Sequence, residues 1–384
     1  MLRRVIWLGV AAALLPLAAL AGNPPAIEWV HQFYGQGEAD GVWVAQTSDG
    51  GYIATGATMP VDSIRPDIYL VKVNPRGTVE WERSFGGPDW DEGKGVVQTS
   101  DGGYVVVGLD AGHLGTPTLI KVDSAGEELW QRFLSRDSCE WGHAVLQTPD
   151  GGFAVGGYKS GGDTTGLWLV KTDSLGMQFW DRIYQTLYGD QPNVFSIGLT
   201  SDGGYILTGE KSGQGLWLIR TDSLGGVMWS ETYGDQKLAH GYSVVQTADS
   251  GFVVTGAGGS LTDQADPSVI CLLKVDAQGN DVWRREFGGD NMDCGYSIRQ
   301  TADGGYVVAG IVVDAGNSND AIVVKTNAAG ALQWTTRLGT DVWYDNARCV
   351  EQTTDRGYVV CGYMTDPSDG RATLYIAKFA PYVQ

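Results

Sequence analysis

The chain has 384 residues, of which 56 are glycine and 14 tryptophan; 43% are apolar, 18% are charged, and the formal net charge is −19. Such a composition excludes a disordered chain, and without a Gly-X-Y period it excludes a collagen. The acidity argues against nucleic acid or an anionic membrane as partner, because both select a basic face.

Residues 1–21 read as a secretory signal peptide. Arg3 and Arg4 form a basic start, an apolar run extends from Val5 to Leu20, and Ala19-Leu20-Ala21 precedes Gly22 as a small-residue cleavage site. The run contains Pro16 and falls short of the ~20 residues that span a bilayer. No cysteine follows the cleavage site, so a lipid anchor is not expected. The expectation is a secreted product, extracellular or periplasmic, that leaves the membrane once the signal is removed. Residues 22–26 read as a short linker and 381–384 as a C-terminal tail.

From there one phrase recurs. It is Gln46-Thr47-Ser48-Asp49-Gly50-Gly51-Tyr52 at first occurrence, and its aromatic returns as Tyr104, Phe153, Tyr205, Phe252, Tyr306 and Tyr358. Successive copies are 52, 49, 52, 47, 54 and 52 residues apart. A glycine stands four residues after each aromatic, from Gly56 to Gly362. A period near 50 implies a solenoid, a propeller or an array.

Each copy divides into four short strands rich in Val, Ile, Tyr and Trp, separated by turn residues. In the first copy these are predicted at Val42–Thr47, Tyr52–Gly56, Ile68–Val73 and Val79–Phe85. Asp-Gly in the first turn supplies the positive φ of a tight hairpin, and the aspartate can cap the turn amides. That turn chemistry explains one aspartate per repeat without a metal. The second turn, as in Asp173-Ser174-Leu175-Gly176, fits a type I turn closed by a glycine bulge. A basic residue recurs in each third strand, from Lys72 to Lys378, and is expected to pair with turn or neighbouring-blade acids.

A tryptophan follows each second-turn glycine by four residues: Trp81, Trp130, Trp180, Trp229, Trp283 and Trp334. The seventh copy ends at its third strand, Leu374–Phe379. Its missing fourth strand is at the other end of the chain, where Ile27-Glu28-Trp29 matches Val79-Glu80-Trp81. A closed ring uses such an arrangement to remove free sheet edges. The fold expected is an all-β, seven-bladed β-propeller over residues 27–380, with four antiparallel strands per blade.

These repeats resemble the secreted bacterial propeller repeats called delta-60 or, more loosely, quinoprotein-like repeats. Leu167-Trp168-Leu169-Val170-Lys171, leading to Trp180, is similar to the tryptophan-docking motif of quinoprotein dehydrogenases. The resemblance implies that each tryptophan packs one blade on the next. Those enzymes usually have eight blades and often an adjacent cysteine pair beside the quinone. This chain has seven repeats and no adjacent pair among Cys139, Cys271, Cys294, Cys349 and Cys361. No cofactor is expected, and a quinone-dependent oxidoreductase is the least favoured reading. With five cysteines at least one is unpaired or pairs between chains. Cys349 and Cys361 flank one hairpin and can approach each other, while most are expected to be buried small apolar residues.

The first and second turns lie on one face of a propeller and are nearly identical in every repeat. The opposite face carries variable loops, among them 58–65, 185–193 and 258–266, and function concentrates on such loops. Four residues before each repeated Gln46 position stand Val42, Lys94, His143, Phe195, Tyr242, Tyr296 and Arg348. Asp40, Asp91, Glu92, Glu140, Trp141, His240, Asp293 and Asp345 precede them, and Trp43, Trp90, Trp343 and Tyr344 add aromatic surface. Aromatic faces stack on a pyranose and carboxylates bond its hydroxyls. The ligand-binding candidates are Lys94, Trp141, Tyr242, Tyr296, Trp343, Tyr344 and Arg348. These positions also suit plain filling of the channel mouth.

Two function classes follow. One is a secreted binding or interaction module presenting its variable face to a glycan or protein, expected as a monomer. The other is a carbohydrate-active enzyme. Glu92, Glu140, Asp293 and Asp345 are candidate paired carboxylates of a glycoside hydrolase, and His143 with Lys94, Tyr242 and Arg348 is a candidate proton-abstracting set for a uronate lyase. Four histidines are too few for an obvious three-His metal site, and no metal is expected.

Overall fold

The computed structural model describes residues 22–61, 63–110, 112, 115–134, 139–161, 164–185, 194–211, 214–234, 240–259, 268–288, 292–313, 319–339 and 344–382. They form seven antiparallel sheets of four strands each, arranged in a ring. Blade 1 comprises Gly37–Gln46, Tyr52–Pro60, Asp67–Val73 and Val79–Phe85. The innermost strands of blades 2 to 7 are Asp91–Gln98, Cys139–Gln147, Val194–Leu199, His240–Gln246, Cys294–Gln300 and Cys349–Gln352. Each innermost strand touches that of the next blade all the way round.

Closure follows the sequence expectation. Ile27–Phe33 is the outermost strand of blade 7, antiparallel to Ala372–Phe379, with Phe33 opposite Leu374. The first hairpin of blade 1 is longer than predicted, because its ladder continues until Gly37 pairs with Pro60. Pro60 ends the strand, where its missing N–H interrupts nothing. The start of the 58–65 loop is therefore strand.

The repeated turns are explained atom by atom. In the first turn of blade 2, Asp101 accepts from the Gly103 amide at 3.0 Å, and the Lys121 ammonium from the third strand lies 2.9 Å away. The same aspartate–cation pair closes every blade, ending with Lys378 and Asp355 at 2.9 Å. Gly102 takes a positive φ of 85° there, but blades 5 and 7 place Ser250 and Arg356 at the equivalent site, with φ of 66° and 67°. Gly126 and its counterparts take positive φ in the second turn, and a register shift in the flanking strands marks the expected bulge.

Tryptophans join the blades. Trp81 of blade 1 meets Tyr104 of blade 2 edge-on at 5.7 Å, and its indole N–H donates to the Ser124 carbonyl at 3.0 Å. Its face lies over Gly126, where a Cβ would come within 2.8 Å of the ring. The equivalent aromatic pair recurs at every joint, including Trp29 with Tyr52 across the point of closure. Blade 7 has no second turn, since its third and fourth strands come from opposite chain ends. Tyr382 fills that place against Trp334 at 5.9 Å, and Trp334 is fully buried. The residues expected as a tail thus include a packing element.

Cys271, Cys294, Cys349 and Cys361 are buried free thiols. Cys349 and Cys361 stand directly opposite each other in the hairpin, as their spacing suggested, without being bonded.

Candidate functional site

The channel mouth is built by a backbone irregularity. Each innermost strand of blades 1 to 6 skips one residue in its pairing with the second strand. The skipped residues are Val42, Lys94, His143, Phe195, Tyr242 and Tyr296. A β-bulge bends its strand and re-aims a side chain. The glycine four residues after each repeated aromatic makes room for it. A Cβ on Gly56 would lie 1.8 Å from the Asp40 carbonyl, and one on Gly256 would lie 1.8 Å from that of His240. This repeated glycine therefore leaves the room that the bulge geometry needs to present the variable residue.

The side chains so presented meet across blades, although they are some 50 residues apart in sequence. Tyr242 and Tyr296 pack edge to face at 5.4 Å. The Arg348 guanidinium lies 4.4 Å from the Tyr296 ring centroid. His240 stacks on Tyr242 at 6.1 Å and holds Glu210 through Nδ1 at 2.7 Å. Lys94 pairs with Glu92 at 2.5 Å. Burial, aided by Lys94, pushes the His143 imidazole down to about 3, so it is neutral at neutral pH. Burial pushes the Asp40 carboxyl up to about 6, against the pull of Arg348 and Lys94. Asp40 Oδ1 is buried without a hydrogen-bond partner.

Other candidates hold backbone amides, are exposed or fall outside the described residues. Asp293 and Asp345 are buried; Asp293 accepts from the Val313 amide at 3.0 Å and Asp345 from the Thr365 amide at 2.9 Å. Asp91 accepts from the Gly87 amide at 2.7 Å. Tyr344 and Trp90 are exposed. The side chains of Glu140, Trp141 and Phe195, and the whole of Trp343, fall outside the described residues, as do most of the 185–193 and 258–266 loops.

Deeper in the channel a second layer appears that the sequence reading passed over. Arg299 stands 3.6 Å from Glu351 and 5.1 Å from the Trp43 ring centroid. Both charged residues immediately precede a repeated glutamine, where blades 1 to 3 have Ala45, Val97 and Leu146. That change of type was the available signal. Away from the mouth, a cavity of about 510 Å³ opens on the rim between His31, Tyr34, Gly77 and Glu82. Among the described residues, no group of three His, Cys, Asp or Glu side chains is arranged to hold a metal.

No family model matches the chain, and no curated protein matches it. Its fold is similar to the WD40 domain of Neurospora crassa Pan2, with a TM-score of 0.59 at 10% identity over 90% of this chain and 91% of that one. Sqt1 from Chaetomium thermophilum gives 0.52 at 16% identity, covering 88% and 83%. A glucose dehydrogenase gives 0.47 at 9% identity, covering 76% and 96%. At these identities the likeness is one of fold: the chain is a WD40-like, seven-bladed β-propeller.

Proposed function

We propose that this chain is a secreted binding module of the delta-60 type, and that it takes a glycan at the channel mouth. The observation that supports this reading is the array of Tyr242, Tyr296, Arg348, Lys94 and Asp40, which sets a pair of aromatic rings beside charged groups at one opening. Stacking rings beside fixed acceptors and donors suit a pyranose. The bulges of blades 1 to 6 present a residue whose type varies along the ring, so one scaffold carries an individual site.

Binding is preferred to hydrolysis because three of the four candidate carboxylates are engaged. Glu92 pairs with Lys94, and Asp293 and Asp345 hold backbone amides of the adjoining strands. The test is direct. The full chain is expressed, the exported product is sequenced from its N-terminus, and that product is titrated with an oligosaccharide panel by thermal shift. The expected results are a start at Gly22 and a shift of several degrees with at least one oligosaccharide. A ligand at 100 times its Kd adds roughly 2.7 kcal/mol. Retention of residues 1–21 sinks the secretion reading, and no shift with any sugar sinks the glycan reading.

A further inference from the structure

The basic groups at the mouth differ in how they are compensated. Lys94 is paired with Glu92 at 2.5 Å, and His240 with Glu210 at 2.7 Å. His143 is neutral at neutral pH. Arg348 is the exception: among the described residues no carboxylate forms an ion pair with it, and its guanidinium lies against the Tyr296 ring at 4.4 Å. Asp40 influences it electrostatically from the neighbouring blade but forms no bond with it. A guanidinium stacked on an aromatic ring keeps its in-plane N–H donors available, and their fork matches a carboxylate bidentately. In a protein with a net charge of −19, a cation at a partly buried position with no ion-paired carboxylate among the described residues stands out from its surroundings.

We propose that the ligand is a carboxylate-bearing sugar, a uronate, oriented by its carboxylate on the Arg348 guanidinium. This rests on the glycan reading above and specifies its ligand class. Tyr242 and Tyr296 supply apolar surface for the ring, and Asp40 supplies a carboxylate acceptor for hydroxyls at the same mouth. The arrangement is selective in a way that Lys94 is not. Lys94 is a point charge already satisfied, whereas Arg348 offers planar recognition at a fixed orientation.

The experiment is isothermal titration of the exported protein with oligogalacturonate, the same oligomer fully methyl-esterified, a neutral oligosaccharide of equal length, and sodium acetate and sulfate as simple anions. It is repeated on Arg348→Ala and Arg348→Lys, each checked for a native circular dichroism spectrum. The expected result is binding of the acidic oligomer, at least a tenfold loss on esterification, and a similar loss in Arg348→Ala with partial recovery in Arg348→Lys. The ester comparison uses wild-type protein and stands even if a variant misfolds. Equal affinity for acid, ester and neutral oligomers overturns the uronate assignment and leaves glycan binding intact. Undiminished binding of the acid by folded Arg348→Ala overturns the role of Arg348. Acetate or sulfate binding as tightly as the oligomer overturns the sugar requirement, and no binding by any oligosaccharide overturns both readings.

Discussion

Pro149 and Leu199 occupy the two ends of a hydrogen bond that the other six blade joints make. At those joints, the repeated glutamine of one blade accepts from a first-turn amide of the blade before it: Ser48 to Gln98 at 2.7 Å, Ser100 to Gln147 at 2.9 Å, and round to Thr354 with Gln46 at 2.8 Å. Between blades 3 and 4 the donor position holds Pro149, which has no N–H, and the acceptor position holds Leu199. Donor and acceptor are lost together, so neither is left unsatisfied.

That relationship predicts non-additivity. Pro149→Ser combined with Leu199→Gln restores the latch and is expected to be more stable than the sum of the single changes by about 0.5–1.5 kcal/mol. Urea unfolding of the four proteins in the cycle measures this coupling. A coupling of zero means that the latch carries no net energy.

Ser250 and Arg356 hold the positive φ that glycine supplies in the other five blades. Ser250→Gly and Arg356→Gly are each expected to stabilise the protein by about 0.5–1 kcal/mol, as relief of backbone strain exceeds the entropy added to the unfolded chain. A higher urea midpoint at unchanged slope is the readout.

The docking tryptophans are not equivalent. Trp334 is fully buried beneath Tyr358 and Tyr382, whereas Trp81 is only half-buried. Trp334→Ala is expected to cost about 3–5 kcal/mol and Trp81→Ala less. Equal losses in calorimetry would show that burial at the chain ends adds nothing.

Two groups of carboxylates give opposite pH signatures. Burial raises Asp49, Asp101, Asp150 and Asp249, but the threonine, lysine and glycine hydrogen bonds outweigh it and hold them down at about 2, below the usual 3.8. Their contribution is complete above about pH 4 and is lost as the pH falls through 2. Asp101→Asn should therefore lower Tm above pH 4, with the difference vanishing near pH 2.

Asp40 behaves in reverse. Its folded carboxyl is raised to about 6, so between pH 4 and 6 the native state holds the extra proton and stability falls as the pH rises. Asp40→Asn is expected to raise Tm above pH 6 and to match wild type below pH 4. A constant difference across this range would remove Asp40 from the buried electrostatics of the mouth.

Blade number, turn type and ring closure were legible in the sequence because they are local or repeated. Asp-Gly dictates its own hairpin, and the match of Ile27-Glu28-Trp29 to Val79-Glu80-Trp81 places the first strand in the last sheet. Aligning the repeats also identified the positions of Lys94, His143, Tyr242, Tyr296 and Arg348. It did not reveal that six of the seven equivalent positions, one per blade, are bulged, nor that Gly56 and its counterparts leave the space. It could not separate Asp293 and Asp345, which hold backbone amides, from Asp40, which has a buried oxygen without a partner. All three are aspartates six or seven residues before the repeated glutamine. By itself the sequence determined a closed ring of seven hairpin pairs, since turns and periodicity act within a few residues. Only the tertiary structure decided which charges pair with one another and which, among the described residues, has no ion-pair partner, because that depends on distances between side chains from different blades.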